Sequence, residues 1–353
     1  MAESSSVSAA RTAPSAADTS SRKWIKKRLA ELDPATDWAE IWSLSSLYNQ
    51  NDFQLHWYYA VTFPFFLITE WGTDAVYRNG TGKLDKQSTK RVEDTVDHMM
   101  VWWEHGPYAP ETKQSVEMIN KLHAHWATRY PGNFTDNDDY LHTLCYEAAG
   151  MHRLQRSLGL PGFNEAQKVA AQRFWSAITP LFVVEDGTPV TGFPDDFDGI
   201  EAFLDEYINR PWPTLEKGQL ATESIINHFA TRWFPKPLRP FGRALVTSFY
   251  CDQIMRVHQI QTPSAPLRWA ARRLIKTMIW LTDNVFPDTK ETFPDRRRRL
   301  VAEKGARPST VDTAVNRIVA KQARAGANPT VAATPTPTAG CPYAATRPDM
   351  SKA

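Results

Sequence analysis

Between Val116 and Leu154 lie four of the chain's nine histidines: His123, His125, His142 and His152. Histidine is the side chain most often used to hold a metal or move a proton near neutral pH, so this stretch is where chemistry is sought first. Its spacing closes no metal motif. There is no HExxH, and no Glu is followed three residues later by His, which removes the Glu-x-x-His pairs of a helical di-iron site. A GxSxG elbow, a P-loop and a GxGxxG turn are absent too. Taken singly, each histidine has a structural role as its default reading. His123 borders the apolar stripe of its helix, His125 lies further round and is expected at the surface, His142 projects away from the Leu141/Leu144 stripe, and His152 lies on it. His98, His228 and His258 also fall on amphipathic helices. A non-haem metal site would have to draw on His98, His123 and His142. A porphyrin asks less, because it supplies four nitrogens and needs one protein ligand, and scattered histidines are compatible with that.

The elements that must position these residues follow from composition and pattern. At 353 residues, 42% apolar and 12% aromatic, the chain can build a real core, and its aromatic surplus suits an apolar pocket equally well. A net charge of +2 predicts no nucleic-acid partner. The run Arg296-Arg297-Arg298-Arg299 is the local exception and reads as a solvated helix end rather than an anion or membrane contact. Cys145, Cys251 and Cys341 are far apart and form no framework, which favours a reducing, cytoplasmic setting. The N-terminus has no apolar core and predicts no secretory signal. Trp57–Trp71 contains Pro64 and is shorter than the roughly 20 residues of a membrane span. It is expected to be a buried core segment. No transmembrane segment is predicted, and contact with a membrane surface stays open as a way to collect an apolar substrate.

Residues 1–22 are Ser/Ala/Thr-rich and predicted disordered. From 23 to 310 the apolar spacing is helical almost throughout, with Gly and Pro punctuation and short connections, so a single all-α domain is predicted. A helical extension and an Ala/Thr/Pro-rich disordered tail make up 311–353. Ser115, Ile119, Leu122 and Trp126 share one helix face, Thr135 looks like the cap of the next helix, and "EDGTPVTG" suggests a small hairpin.

Three segments, in order, resemble the family of MpaB-type oxygenases and bacterial rubber oxygenases such as latex-clearing protein. "KRVEDT" is similar to its Arg-x-x-x-Thr element at Arg91 and Thr95, "INKLHAHW" to its histidine helix, and "NDDYLHTLCYEAAGMHRL" to its Asp-x-x-x-Thr helix at Asp139 and Thr143. The register continues to resemble the family through Arg299. The resemblance implies an all-helical domain with a globin-like core and haem b, with His123 as the proximal iron ligand. Arg91 and Thr95 then match catalytic residues of the haem pocket, and Arg91 and Thr143 cofactor contacts. It further implies O2 as co-substrate and oxidative cleavage of a carbon–carbon double bond in an apolar isoprenoid or prenylated substrate. Asn120 departs from the family, where rubber oxygenases have Arg three residues before the histidine. The family's upstream acid falls nearest Glu70, whereas Glu93 reads as a solvated helix residue. Cys341-Pro342 is similar to the Cys-Pro element of haem-responsive segments. Two alternatives stand beside this reading: a non-catalytic helical isoprenoid- or lipid-binding protein, and a non-haem metal enzyme.

Overall fold

The computed structural model describes residues 18–326, so most of the predicted N-terminal disorder and the Cys341-Pro342 tail lie outside the described residues. Within them the chain is all-α, without a β-sheet. Helices α1 (Trp24–Glu31) and α2 (Trp38–Ser46) lead to α3 (Asp52–Thr62), which runs on into a 3-10 turn at Phe63–Leu67. Next come α4 (Glu70–Tyr77), the single turn α5 (Lys83–Lys86), α6 (Ser88–His105), α7 (Pro110–Ala127) and α8 (Asn137–Ser157). The second half comprises α9 (Glu165–Ile178), α10 (Phe197–Ile208), α11 (Glu216–Trp233), α12 (Arg239–Thr247), α13 (Asp252–Val257), α14 (Ala265–Asn284), α15 (Phe293–Lys304) and α16 (Thr310–Gly326).

The starts obey capping chemistry, in which a short polar side chain accepts from an otherwise orphaned first-turn N–H. Asn51, Thr69, Asp136, Asn164, Asp196 and Thr292 do so for α3, α4, α8, α9, α10 and α15. For α8 the cap is therefore Asp136, while the Thr135 hydroxyl instead donates to the Gly132 carbonyl at 3.0 Å. The expected hairpin reduces to one antiparallel bridge between Val183 and Pro189.

Helix α8 lies deepest: Leu141, Leu144, Cys145, Ala148 and Ala149 are buried on one side, and His142 and Tyr146 on another. α9 and α10 cover it, α6 packs along α7, and α11 packs against α3, α4 and α12. Trp57, Phe63, Phe65, Leu67 and Ile68 are all buried, as expected for the apolar early segment. Each such side chain contributes about 1.5–3 kcal/mol on leaving water. Among the described residues no helix is long and apolar enough to cross a membrane. One residue differs from its helical-wheel expectation: Leu122 is half exposed, although Ser115 on the same face of α7 is buried.

The four consecutive arginines of α15 are each engaged within the chain. Arg296 donates to the Gln50 carbonyl at 2.5 Å, Arg298 pairs with Glu104 and Asp295, and Arg299 pairs with Glu291 and Glu303. Arg297 pairs with the buried Asp97, which also accepts from Ser309 at 2.7 Å. Stripping the cation from an enclosed carboxylate costs about 3–5 kcal/mol, and somewhat less where the cation reaches solvent, as Arg297 does. Arg297→Ala is therefore expected to lower the melting temperature by several degrees, and adding Asp97→Asn to restore part of the loss. Superimposable thermal melts of parent and Arg297→Ala would contradict this.

Candidate functional site

The Arg91–Thr95 pair follows from helix geometry alone, since residues four apart stack on one face. The Arg91 guanidinium donates to the Thr95 hydroxyl, which itself donates back to the Arg91 carbonyl at 3.1 Å. The same guanidinium sits over the Phe63 ring, 4.8 Å from its centroid. Arg78, which ends α4 in a left-handed conformation (φ 51°), lies over Trp126 at 3.3 Å. Burial, and then the neighbouring charges of Arg91 and Arg129, lower the Arg78 pKa. Among the described residues no carboxylate pairs with Arg78, Arg91 or Arg129. These three cations thus lack a salt-bridge partner among the described residues, while the Glu185 carboxylate accepts from the Gly132 and Phe134 N–H groups and is felt at Tyr140.

His123 projects from the last turns of α7, within the field of the Arg91 charge. Its ring stacks on Phe134 (4.6 Å, 20° between planes), and Nδ1 lies 3.2 Å from the Tyr140 hydroxyl on α8. Nε2 has no hydrogen-bond partner among the described residues. Burial first, and the Arg91 charge second, lower the His123 pKa to about 4, so the imidazole is neutral at physiological pH. The side chain nevertheless keeps accessible surface. The ring is thus packed by protein on its Phe134 and Tyr140 sides and partly open to solvent.

Tyr140, Thr143 and Glu147, spaced three and four apart, share one face of α8, and Tyr140 is the one in contact with His123. Thr143 donates to the Asp139 carbonyl at 3.0 Å, so its proton is committed within the helix and Tyr140 is the α8 residue that meets His123. Glu147 is half-buried, and burial raises its pKa from 4.5 to about 8. It lies close enough to raise the pKa of Tyr58 electrostatically. Gly150 lies further along the same helix face: a Cβ there would fall 2.5 Å from the Tyr58 hydroxyl, so glycine is needed for the approach.

Asp139 plays a different part from its neighbours. Its carboxylate accepts from Trp71 Nε1 on α4 and from the Tyr207 hydroxyl on α10, with Thr69 Oγ1 at 3.4 Å. Burial raises its pKa to about 7 against the pull of these donors. It is a cross-brace. Asn120, the departure from the family pattern, is likewise structural: Nδ2 donates to the Leu181 carbonyl at 2.8 Å, and Oδ1 accepts from Val183 N at 3.4 Å. Glu70 is exposed in the first turn of α4.

The other histidines separate cleanly. Trp102 Nε1 donates to Ser115 Oγ at 2.8 Å, leaving the Ser115 hydroxyl to donate to His98 Nδ1 at 2.7 Å. His152 accepts from Phe163 N at 2.9 Å, and His258 Nε2 lies 2.8 Å from the Pro64 carbonyl. His125 is exposed as expected. His142 projects away from the leucine stripe, and there it is 2% exposed and stacked on Tyr207 at 4.3 Å, because α10 covers that side of α8. His98, His123 and His142 do not converge, and among the described residues no three His, Cys, Asp or Glu side chains form a metal-sized group.

Tyr140, Phe134 and Glu147 were not picked out by sequence reasoning. The seven-residue spacing of Tyr140 and Glu147, with Thr143 between them, was the available signal. No family model matches the chain, and no curated protein sequence is similar to it.

Glu147 generates a signed prediction. Its folded pKa lies above its unfolded one, so its stabilising contribution is complete below about pH 4.5 and is lost as pH rises through about 8. Glu147→Gln is expected to unfold at the same temperature as the parent near pH 4.5. It should become progressively more stable than the parent up to pH 8, by an amount on the order of a few kcal/mol. Parallel melting-temperature profiles across that range would refute the assignment.

Proposed function

We propose that the protein is a haem-dependent oxygenase acting on an apolar, unsaturated substrate of isoprenoid type, with His123 as the iron ligand. The observation that carries this reading is the state of one imidazole: neutral, fixed through Nδ1 by Tyr140, with Nε2 unpartnered. Iron in a porphyrin takes a single neutral imidazole, and a hydrogen bond on the other nitrogen sets its orientation and basicity. The surrounding donor set also fits. Arg78 and Arg91 have no carboxylate partners and suit the two carboxylates of haem, while Phe63 and Phe66 offer apolar contact. This fit supports the reading that the likeness to MpaB-type and rubber oxygenases suggests for His123 and Arg91. The globin-like arrangement implied by that likeness belongs to the same proposal.

Bound haem would supply oxygen activation and the redox chemistry. The chain's own residues do the rest. Tyr140 and Phe134 hold the His123 ring in one plane. Arg91, held by Thr95 and Phe63, presents a fixed positive charge. Glu147, with a pKa near 8, keeps its carboxyl proton at neutral pH and can give it up. The aromatic rings around them exclude water and accept an apolar chain.

The test is a visible spectrum of the protein produced with haem precursor, beside His123→Ala and Tyr140→Phe. A Soret band in the parent, lost in His123→Ala and altered in Tyr140→Phe, is expected. A parent that binds no haem would replace this reading with a non-catalytic isoprenoid-binding one.

A further inference from the structure

Helix α14 turns Ala271 and Ile275 inward, and it packs on α12. Arg272 secures it further, donating to the Ser248 carbonyl at 3.1 Å and to the Ser157 carbonyl. The C-terminal end is held by Lys23 Nζ, which donates to the Thr282 carbonyl at 2.7 Å and the Phe286 carbonyl at 3.0 Å. The opposite face is unlike any other in the molecule. Trp269, Arg273, Lys276 and Trp280 recur at helical spacing and lie within one narrow arc, diametrically across from Ala271 and Ile275. Trp269 is 65% exposed and Trp280 50%, with Phe286 at 52% just beyond the helix. Exposed tryptophans in such numbers mark an interaction surface rather than ordinary surface scatter.

The charge on this face decides what can cover it. Arg268, Arg273 and Lys276 have no carboxylate partner among the described residues, and Arg273 lies over the Trp269 ring at 5.8 Å. The only acid of α14, Asp283, lies within the field of Lys23 and Lys26. The Arg run of α15, by contrast, is neutralised by its own acids. A second copy docking here about a two-fold axis would set Arg273 and Lys276 against themselves. Both tryptophans sit on a convex rod about 16 Å apart along its axis. That shape suits lying flat on a surface, with indole and phenyl rings at headgroup depth and the cations among phosphates.

We infer that the exposed face of α14 is a docking surface for an anionic lipid bilayer, engaged from outside without insertion of any span. The inference rests on this face alone and is independent of the chemistry at His123. It would also bring an enzyme of apolar substrates to where such substrates reside.

The test uses the full chain in vesicle flotation, with phosphatidylcholine vesicles and with vesicles holding about 30% phosphatidylserine. Trp269→Ala/Trp280→Ala and Arg273→Glu/Lys276→Glu are run beside the parent, and thermal melts report folding. Arg273 is exposed, whereas Lys276 is half-buried with its Nζ beside Gly159, so Arg273→Glu alone is run as well and keeps the test decisive if either double variant melts low. Flotation of the parent with anionic but not neutral vesicles is expected, weakening with salt and falling roughly tenfold in each double variant. A parent that stays unbound, or variants that bind as the parent does, overturn the proposal. So does binding of a short single-stranded DNA in place of vesicles, or a parent dimer in sedimentation that both variants abolish.

Discussion

The Asp139 carboxylate must satisfy its lone pairs inside packed protein, and it does so by drawing donors from two other helices. Trp71 reaches it from α4 and Tyr207 from α10, and Thr69 adds a third contact just before α4 begins. A buried carboxylate left without donors would be untenable, so these helices are fixed relative to α8. Fixing α8 also fixes its rotation about its own axis. Once Asp139 faces α4 and α10, the adjacent Tyr140 is turned toward α7, where it meets His123. The braced carboxylate and the candidate ligand are thus two sides of a single constraint.

Desolvation is the second organising force. It makes His98 and His123 neutral, each with a pKa near 4, and takes His142 to about 3. It also keeps Glu147 protonated at neutral pH. Arg78 and Arg91 meanwhile have no carboxylate partner among the described residues, whereas the buried Asp97 and Asp288 are paired with Arg297 and Lys23. Hydrogen-bond partners then separate some of the histidines: His98, His152 and His258 have a serine hydroxyl or backbone partner, whereas His56, His142 and His228 keep a buried unpartnered nitrogen, and His123 combines an unpartnered Nε2 with the neighbouring Arg91 charge.

Much of this was legible beforehand, and the failures have identifiable causes. The all-α class followed from apolar periodicity and from Gly and Pro punctuation, and Arg91–Thr95 from a four-residue spacing. Contacts between helices were not legible. Nothing in the α7 pattern indicates that Phe134, in the following turn, will stack on His123. The direction of His142 was legible but its burial was not, because a wheel shows one stripe, whereas α8 is buried on more than one side, against α10 as well as the leucine-facing core. Leu122 differs the other way: it shares a face with the buried Ser115 but is itself half exposed. Thr143 sits where its spacing put it, but its hydroxyl turns to the backbone, a local choice open to any helical threonine.

Lys23 and Asp288 carry a consequence for how the chain is made. Asp288 accepts from Lys23 Nζ at 2.6 Å and from the Ile25 backbone N–H at 3.1 Å, and it draws in Asn49 Nδ2 at 3.2 Å. These contacts join residues that leave the ribosome first to one that leaves near the end of the domain. Until then, α1 has no tertiary partner for its charged entry, and eight residues are too few for a helix to persist alone in water. The closing step of folding is therefore expected to await nearly complete synthesis. A nascent chain stalled before residue 288 would expose the apolar face of α1 to whatever chaperone waits at the exit.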